Sequence, residues 1–455
     1  MILLENAVII TSEKVAPGSI LIEGSKISEV LYKDMEDYEY QLFKIRKDNP
    51  QTWDLEGRHI IAGGIDAHVH FREPGLTHKA DIATESRTAA AGGVTSYMEM
   101  PNTVPQTTTL ELLDEKFRLG AEKSRVNYSF FFGATNDNVD LLPQLDKERV
   151  CGVKVFMGSS TGNMLVDRAD ALHHLFETSP LLIMAHCEDT SIINENIANF
   201  KKKYKGQNDF PVRYHSRIRS TEACYASTAL AVRMAEETGA RLHVAHLSTA
   251  KELELFKSGP LEQKRITAEA CIAHLMFSSE DYDSLGTKIK CNPAIKTVED
   301  REALRQALTN GLIDVVATDH APHLLEEKEG GALKAMSGMP MVQFSLVSML
   351  ELADNGVLPL ARVAELMSHN PARLFRVDRR GFIREGYYAD LVLVDPNANW
   401  QVREGRYYTK CGWTPMDERR FKWRVRRTLV NGRTAYVDGI VVDGVRGMEL
   451  RFTDV

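Results

Sequence analysis

Two histidines, His68 and His70, stand one residue apart at the end of an apolar run. Side chains alternate between the two faces of a β-strand, so both imidazoles would point the same way. Two neutral imidazoles on one face can bind one metal ion, while Val69 between them would point into packing. Arg72 lies two residues after His70, so its side chain would point to the same face of the strand and add a fixed positive charge there. The pair alone does not distinguish a metal site from two hydrogen-bonded core histidines.

Further residues of chemically useful type stand at the ends of later apolar runs. Imidazole and carboxylate are ligands for zinc, and they also accept cobalt or manganese. If the fold brings the ends of these runs together, the set forms a candidate two-metal site. Its members, besides the first two histidines, are Lys154, His186, His246 and Asp319.

Lys154 is the unusual member of this set, because an ammonium group has no lone pair for a metal. Burying it beside two divalent cations would be costly. Carboxylation by carbon dioxide would turn the amine into an anionic carbamate that can bridge two cations. A lysine at a strand end can instead extend its ammonium to solvent. Spacing alone does not separate these two interpretations.

The order of apolar runs predicts the fold that would position these residues. Short runs alternate with helical patterns, which is typical of βα units around a parallel sheet. Eight such units favour an α/β fold with a closed (β/α)8 barrel, in which functional groups lie at the C-terminal ends of the strands. The predicted strands are 60–68, 95–100, 128–132, 152–156, 181–186, 241–246, 265–270 and 313–318, and the clearest helices are 107–124, 219–238 and 298–310.

The two ends of the chain differ from the middle in being rich in short strand patterns. We predict a small β-sandwich built from residues 1–57 and 386–455, around a barrel of residues 58–385. A polar and aromatic stretch near 32–51 is interpreted as a surface insertion. The strands expected at the ends are 2–10, 19–22, 26–31, 389–395 and 427–437.

Composition restricts the class of protein and its partners. The chain has 455 residues, of which 43% are apolar and 26% charged, as in globular proteins. A net charge of -7 argues against nucleic acid or an anionic membrane as partner. No apolar run has membrane-spanning length, and the first residues do not resemble a signal peptide. Six cysteines without CxxC pairs predict reduced core thiols and a cytoplasmic protein.

Three segments resemble the dihydroorotases of the lysine-containing kind, which are cyclic amidohydrolases of the amidohydrolase superfamily. They agree in order and spacing, and the resemblance runs over nearly the whole chain. It implies the barrel with a β-sandwich, a binuclear zinc centre and hydrolysis of a cyclic amide. The segments are His-Val-His-Phe-Arg-Glu-Pro-Gly at 68–75, Met-Pro-Asn-Thr at 100–103 and Thr-Asp-His-Ala-Pro-His at 318–323.

The resemblance also implies roles for single residues. His68, His70 and Asp319 would bind the more buried zinc, and His186 and His246 the more exposed one. Carboxylated Lys154 and a hydroxide would bridge the two Zn²⁺ ions of each subunit. Asp319 would be the catalytic acid and base that carries the proton between the nucleophile and the leaving nitrogen. Glu269, which can hold an extra metal in some relatives, is interpreted as a residue behind the ligands.

Four residues are expected to bind the substrate, N-carbamoyl-L-aspartate or dihydroorotate. Arg72 offers a planar fork for a carboxylate, and Asn102 and His323 add donors. Asn292 stands where some relatives have an arginine, so contact there would involve only an amide or the backbone. A rim salt bridge for Arg72 and a turn role for Asn102 remain open at this point.

Two other functions are considered. An allantoinase or hydantoinase would share the metal ligands but resembles this chain less at Arg72, Asn102 and His323. A non-catalytic scaffold would be expected to lack some ligands, whereas all six positions are filled here. The resemblance is compatible with a homo-oligomer. Loops at 159–163 and 328–331 are interpreted as flexible covers of the barrel mouth, with a plain surface connection equally open for the second.

Overall fold

The computed structural model describes residues 1–158, 164–205, 207–403 and 407–453, and the first of the two predicted cover loops lies outside these ranges. The N-terminal part begins with strands as predicted. The elements are β1 (Ile2–Ile10), β2 (Val15–Glu23), β3 (Lys26–Tyr32), α1 (Tyr38–Lys47), β4 (Gln51–Asp54) and β5 (His59–Ala62). β1 is the centre of this part, since it pairs antiparallel with β2 and parallel with both β4 and β5.

The polar stretch near 32–51 contains α1, which covers this sheet. Tyr38, Leu42 and Ile45 are buried and recur at the spacing of one helix face. They share an apolar cluster with Leu3 of β1 and Leu21 of β2. The charged residues of α1 are exposed, which contributes to the polar composition of the stretch.

Eight parallel strands form the barrel, and each predicted strand has a counterpart. Val69 of the first strand forms a parallel bridge with His320, just beyond the last strand, and the backbone N–H of His70 donates to the His320 carbonyl at 2.8 Å. The strands are β6 (Gly64–Val69), β7 (Val94–Glu99), β8 (Asn127–Gly133), β9 (Gly152–Phe156), β10 (Ile183–His186), β11 (Leu242–Val244), β12 (Ile266–Cys271) and β13 (Val315–Ala317).

The predicted strand 60–68 is wrong as a single element, because the chain changes sheets at Gly63. β5 pairs with β1, whereas β6 pairs with β7 of the barrel. Gly63 passes so close to β7 that a Cβ there would lie 2.1 Å from the Thr95 hydroxyl oxygen. Both faces of β5 are buried, so its apolar residues run on into β6 without an interruption that the sequence would reveal.

Helices surround the barrel strands, and five of them begin at a side-chain cap. Asp81, Thr109, Asp189, Ser220 and Thr297 each accept a backbone N–H of the first turn, which satisfies a donor that has no partner within the helix. The helices are α2 (Ile82–Ala91), α3 (Leu110–Lys123), α4 (Ala169–Thr178), α5 (Thr190–Lys203), α6 (His215–Ile218), α7 (Thr221–Thr238), α8 (Ile272–Met276), α9 (Tyr282–Leu285), α10 (Val298–Ala307), α11 (Ser345–Asp354), α12 (Leu360–Ala364) and α13 (Asn370–Phe375).

The C-terminal strands complete the sheet that the N-terminus begins. β14 joins the two ends of the chain by pairing antiparallel with both β5 and β17, so the terminal sheet has nine strands drawn from both termini. The separate β15 and β16 pair only with each other. These strands are β14 (Leu391–Asp395), β15 (Trp400–Gln401), β16 (Arg420–Phe421), β17 (Arg424–Val430), β18 (Arg433–Val437) and β19 (Ile440–Val441).

The predicted strand 427–437 is also wrong as one element, because it turns back on itself between β17 and β18. Asn431 and Gly432 have φ of 52° and 74°, as a tight hairpin turn requires. The Asn-Gly pair between apolar residues is a recognisable hairpin signal, so this correction was available from the sequence.

The terminal sheet is buried on both faces. Ile9, Ile60 and Leu429 belong to a cluster within this part of the molecule. Their neighbours Ile10 and Ile61 belong to the main core, which includes the barrel helices. The sheet therefore has an interior of its own and also packs against the barrel.

Apolar side chains fill part of the barrel interior, and the predicted ligand residues lie at one end of it. Side chains from five strands share one cluster, as expected for a packed barrel; they are Ile65, Met98, Phe131, Met184 and Val315. All six cysteines are free thiols. No helix in the described part of the chain combines the length and apolar composition that a membrane span requires.

Candidate metal centre

The predicted ligand residues meet at the C-terminal end of the barrel. His68 lies within β6, Lys154 within β9, and His186 ends β10. His70 and Asp319 lie just beyond their strands. All six predicted ligands, together with Arg72, Asn102, Asn292 and His323, line one cavity of about 770 Å³. The fold thus brings together every residue that the sequence analysis assigned to the site.

Asp319 lies between the first two histidines. Its Oδ1 is 3.4 Å from Nε2 of His68 and 3.0 Å from Nε2 of His70. Burial favours the neutral acid, but the neighbouring imidazoles outweigh it and hold the pKa of Asp319 well below its usual range. Burial lowers the pKa of His70 to about 4, so its imidazole is neutral at pH 7. An ionised carboxylate beside a neutral imidazole is the charge state that metal ligands require.

His186 and His246 form the second half of the site. Nδ1 of His186 and Nε2 of His246 lie 2.9 Å apart. Burial lowers the pKa of both rings, and Nδ1 of His246 has no hydrogen-bond partner among the described residues. Ligand atoms of His68, His246 and Asp319 also lie within 4.8 Å of one another. This convergence of imidazole nitrogens and a carboxylate oxygen fits a metal centre that spans both halves.

Lys154 does not extend to solvent, because its residue is 1% exposed. Its Nζ is buried without a hydrogen-bond partner among the residues that the structure describes. Burial lowers the pKa of Lys154 to about 8, which makes the neutral amine accessible. An unpartnered amine at the edge of the cavity fits a lysine that is modified to an anion better than it fits a free ammonium.

Outer hydrogen bonds fix which nitrogen of each ring faces the cavity. Nδ1 of His68 lies 2.8 Å from a Glu269 oxygen, and Nδ1 of His70 lies 2.9 Å from Oδ1 of Asn102. Glu269 also accepts the backbone N–H of His246 at 3.1 Å, so it lies behind the predicted ligands, as the sequence analysis interpreted it. Asn102 contacts a predicted ligand directly, a role that the sequence analysis did not foresee.

The third ring, His186, is held by a pair that the sequence analysis missed. Nε2 of His186 lies 3.0 Å from Glu188, which also accepts a hydrogen bond from Arg219. Burial opposes ionisation of Glu188, but Arg219 and His186 together hold its pKa well below the usual range. Glu188 follows His186 by two residues, and this spacing was the one signal that could have predicted their contact. Arg219 lies in a distant loop, so no spacing in the sequence indicated its contact with Glu188.

Three residues at this end of the barrel have a left-handed backbone conformation. Arg72, His246 and Asp319 have φ of 71°, 39° and 48°, in the left-handed region that non-glycine residues seldom adopt. Arg72 therefore does not reach the cavity through the strand parity predicted for it. A turn beyond β6 directs its side chain there, where Nε donates to the Pro322 carbonyl at 3.1 Å. Such strain is typical of sites that other contacts hold in place.

The second predicted cover loop is fastened rather than loose. Nζ of Lys328 donates to the carbonyls of Met336 at 2.6 Å and Gly338 at 2.7 Å. The Asp209 carboxylate accepts the N–H groups of Gly331 at 2.6 Å and Leu333 at 2.8 Å. These bonds hold the loop next to residues 332–338, which line the cavity.

The chain belongs to the amidohydrolase family, whose model matches residues 59–435. The resemblance to the dihydroorotases is confirmed by its relatives. A dihydroorotase of Halobacterium salinarum is 37% identical over 395 residues, covering 86% of this chain and 89% of the relative. A dihydroorotase of Methanosarcina mazei is 34% identical over 426 residues, covering 91% and 90%.

Solved structures confirm the fold. An L-hydantoinase from Arthrobacter aurescens superimposes with a TM-score of 0.89 at 25% identity, covering 97% of each chain. A dihydropyrimidinase from Brevibacillus agri gives a TM-score of 0.85 at 20% identity, covering 100% of this chain and 99% of that chain. The barrel with a sheet built from both termini is therefore shared with enzymes of known structure.

Proposed function

We propose that this chain is a zinc-dependent dihydroorotase of pyrimidine biosynthesis. It would interconvert N-carbamoyl-L-aspartate with (S)-dihydroorotate and water. The observation that carries the proposal is the position of Arg72 and His323 beside the metal-ligand cluster, because the substrate bears a carboxylate outside its ring. Dihydroorotase relatives at 37% and 34% identity support the same substrate.

The ligand set fits two metal ions. His68, His70 and Asp319 would hold one zinc, His186 and His246 the other, with carboxylated Lys154 between them. When bound, the two ions would polarise the ring carbonyl and lower the pKa of the attacking water. The remaining steps belong to side chains of the protein.

Asp319 would move the proton. Its carboxylate is ionised at neutral pH, so it can accept a proton from the attacking water. It would then deliver this proton to the ring nitrogen as the amide C–N bond breaks. In the biosynthetic direction Asp319 would begin protonated, and the C–N bond would form as water leaves.

Arg72 would hold the exocyclic carboxylate of the substrate. Its guanidinium is buried and anchored through Nε to a carbonyl, while Nη1 and Nη2, the latter 3.0 Å from Nε2 of His323, would turn to the anion. Asn292 faces the same cavity, where its Oδ1 lies 3.0 Å from Nε2 of His215. A network through His215 would orient the amide of Asn292 toward the ring of the substrate.

The direct test is turnover by metal-loaded protein. Incubation with dihydroorotate should yield N-carbamoyl-L-aspartate, measured by chromatography, whereas allantoin and hydantoins should react far more slowly. The structural likeness to an L-hydantoinase makes a hydantoinase the second candidate. Faster opening of a hydantoin than of dihydroorotate would establish that candidate and reject the first.

Replacing Arg72 by Lys should raise KM for dihydroorotate about tenfold or more, equal to about 1.4 kcal/mol, with a smaller effect on kcat. Lysine keeps the charge but loses the planar fork that pairs with a carboxylate. Steady-state kinetics check this expectation, and Arg87→Lys on the exposed face of α2 provides the control. An unchanged KM would mean that Arg72 serves only its contacts with Pro322 and His323.

A further inference from the structure

Lys79 is a buried cation of the cavity wall that the mechanism above does not use. Its side chain is 5% exposed, and its Nζ donates to Oε1 of Glu327 at 2.7 Å. The same Nζ lies 3.2 Å from Nδ1 of His323. Lys79 therefore contacts a residue proposed to bind the substrate, on the side of the ring away from Arg72.

Each nitrogen of the His323 ring faces one cationic donor and one acceptor. Nδ1 lies near the ammonium of Lys79 and is 3.4 Å from Oε2 of Glu327. Nε2 is 3.0 Å from Nη2 of Arg72 and 3.1 Å from the Ser337 carbonyl. A neutral imidazole has one N–H and one lone pair, so only one of the two cations can donate to it.

The distances to the two acceptors favour the tautomer with its proton on Nε2, because Ser337 is the nearer one, and in this form Nη2 of Arg72 does not donate to the ring. In this form Nδ1 accepts from Lys79, and the Nε2 proton points toward Ser337 at hydrogen-bond distance. In the tautomer with its proton on Nδ1, the N–H would face Oε2 of Glu327 at 3.4 Å, which is long for a hydrogen bond. Oε2 of Glu327 also accepts the Leu324 N–H at 2.8 Å, so it has another donor.

We propose that Lys79 is a positioning residue, which keeps the proton of neutral His323 on Nε2 so that this ring donates to the substrate carboxylate beside Arg72. This inference rests on the proposed function. When the carboxylate binds, Arg72 turns its N–H groups to the anion, and the Nε2–H of His323 becomes a second donor to the same group. Without Lys79, the lone pair would sit on Nε2 and would repel the anion.

The charges around His323 keep the ring neutral. The side chain of His323 is 8% exposed, and the carboxylate that faces it is Glu327. The cations that act on the ring are Arg72, Lys79 and Lys328. Burial first, and then these three cations, hold the pKa of His323 far below its ordinary value. Trp413 donates from Nε1 to the backbone carbonyl of His323 at 2.7 Å and leaves the ring charge unchanged. Donation from His323 must therefore come from the correct tautomer rather than from an imidazolium.

The test uses the metal-loaded enzyme with Lys79→Met, which keeps length but removes the donor. We expect KM for dihydroorotate to rise about tenfold while kcat stays within about twofold of the wild type. Lys79→Arg, which restores a cationic donor, should recover most of the loss. Lys410→Met is the matched control, because Lys410 binds the Thr77 carbonyl and Asp81 in the same segment but is not among the contacts of His323.

Nitrogen-15 spectra of histidine-labelled enzyme separate positioning from simple support of the fold. The His323 signal, assigned by its loss in His323→Gln, should show the proton on Nε2 in the wild type and on Nδ1 in Lys79→Met. The same tautomer in both proteins, or an unchanged KM, would overturn the proposal. If the wild type does not turn over dihydroorotate, the proposed function fails, whereas the spectra still decide whether Lys79 sets the tautomer.

Discussion

Replacing Asp319 by Asn should lower kcat at least about a thousandfold, within the range that a positioned acid and base contributes. The amide keeps the shape of the carboxylate, but it cannot accept the proton of the attacking water at neutral pH. It is also a weaker metal ligand, so loss of one metal would add to the effect. Steady-state rates and metal content measured on the same preparation separate the two causes.

Asp314→Asn is the control for this variant. Asp314 precedes the same strand, β13, at its opposite end, where it is buried and pairs with Lys264 at 2.6 Å. Its substitution should lower the free energy of unfolding but leave kcat near the wild-type value. A rate for Asp319→Asn within tenfold of the wild type would reject Asp319 as the proton carrier.

Replacing Lys154 by Ala should abolish turnover and reduce metal content together. The neutral methyl group cannot form the carbamate that would bridge the two cations, so His186 and His246 would be left to hold their metal alone. Acetate or propionate added to the variant should restore part of the activity, because a small carboxylate fits the space that the side chain vacates. Metal analysis before and after addition, with rates on the same samples, is the measurement.

Lys116→Ala is the control for the loss of a buried lysine. Lys116 is as buried as Lys154, but it pairs with Glu99 at 3.1 Å and does not line the cavity. This variant should unfold at a lower temperature yet keep its full metal content. Normal metal content in Lys154→Ala would argue against the bridging role.

The residues of the centre were predictable because strand ends are visible in the sequence. His68, His186 and Asp319 each follow an apolar run, and a barrel places the ends of its strands around one opening. The same logic explains why Lys154 was found. Resemblance then assigned these residues to two metals, which spacing alone did not do.

The supporting contacts were not predictable because they join distant loops. Arg219 reaches Glu188, and Lys79 reaches His323, across separations that no local pattern encodes. The change of sheet at Gly63 was hidden for another reason, since burial on both faces makes β5 and β6 equally apolar. The hairpin at Asn431-Gly432, by contrast, was predictable from the Asn-Gly pair itself.

The single glycine between β5 and β6 limits how this molecule can open. Gly63 is fixed on both sides, because its N–H donates to the Asp390 carbonyl at 2.9 Å while its Cα packs against Thr95. A one-residue connection with these contacts provides no slack for the barrel to swing away from the terminal sheet. Substrate exchange would therefore not use a motion at this junction, and turnover should respond to substitutions at the barrel mouth rather than to those at the junction of the two sheets.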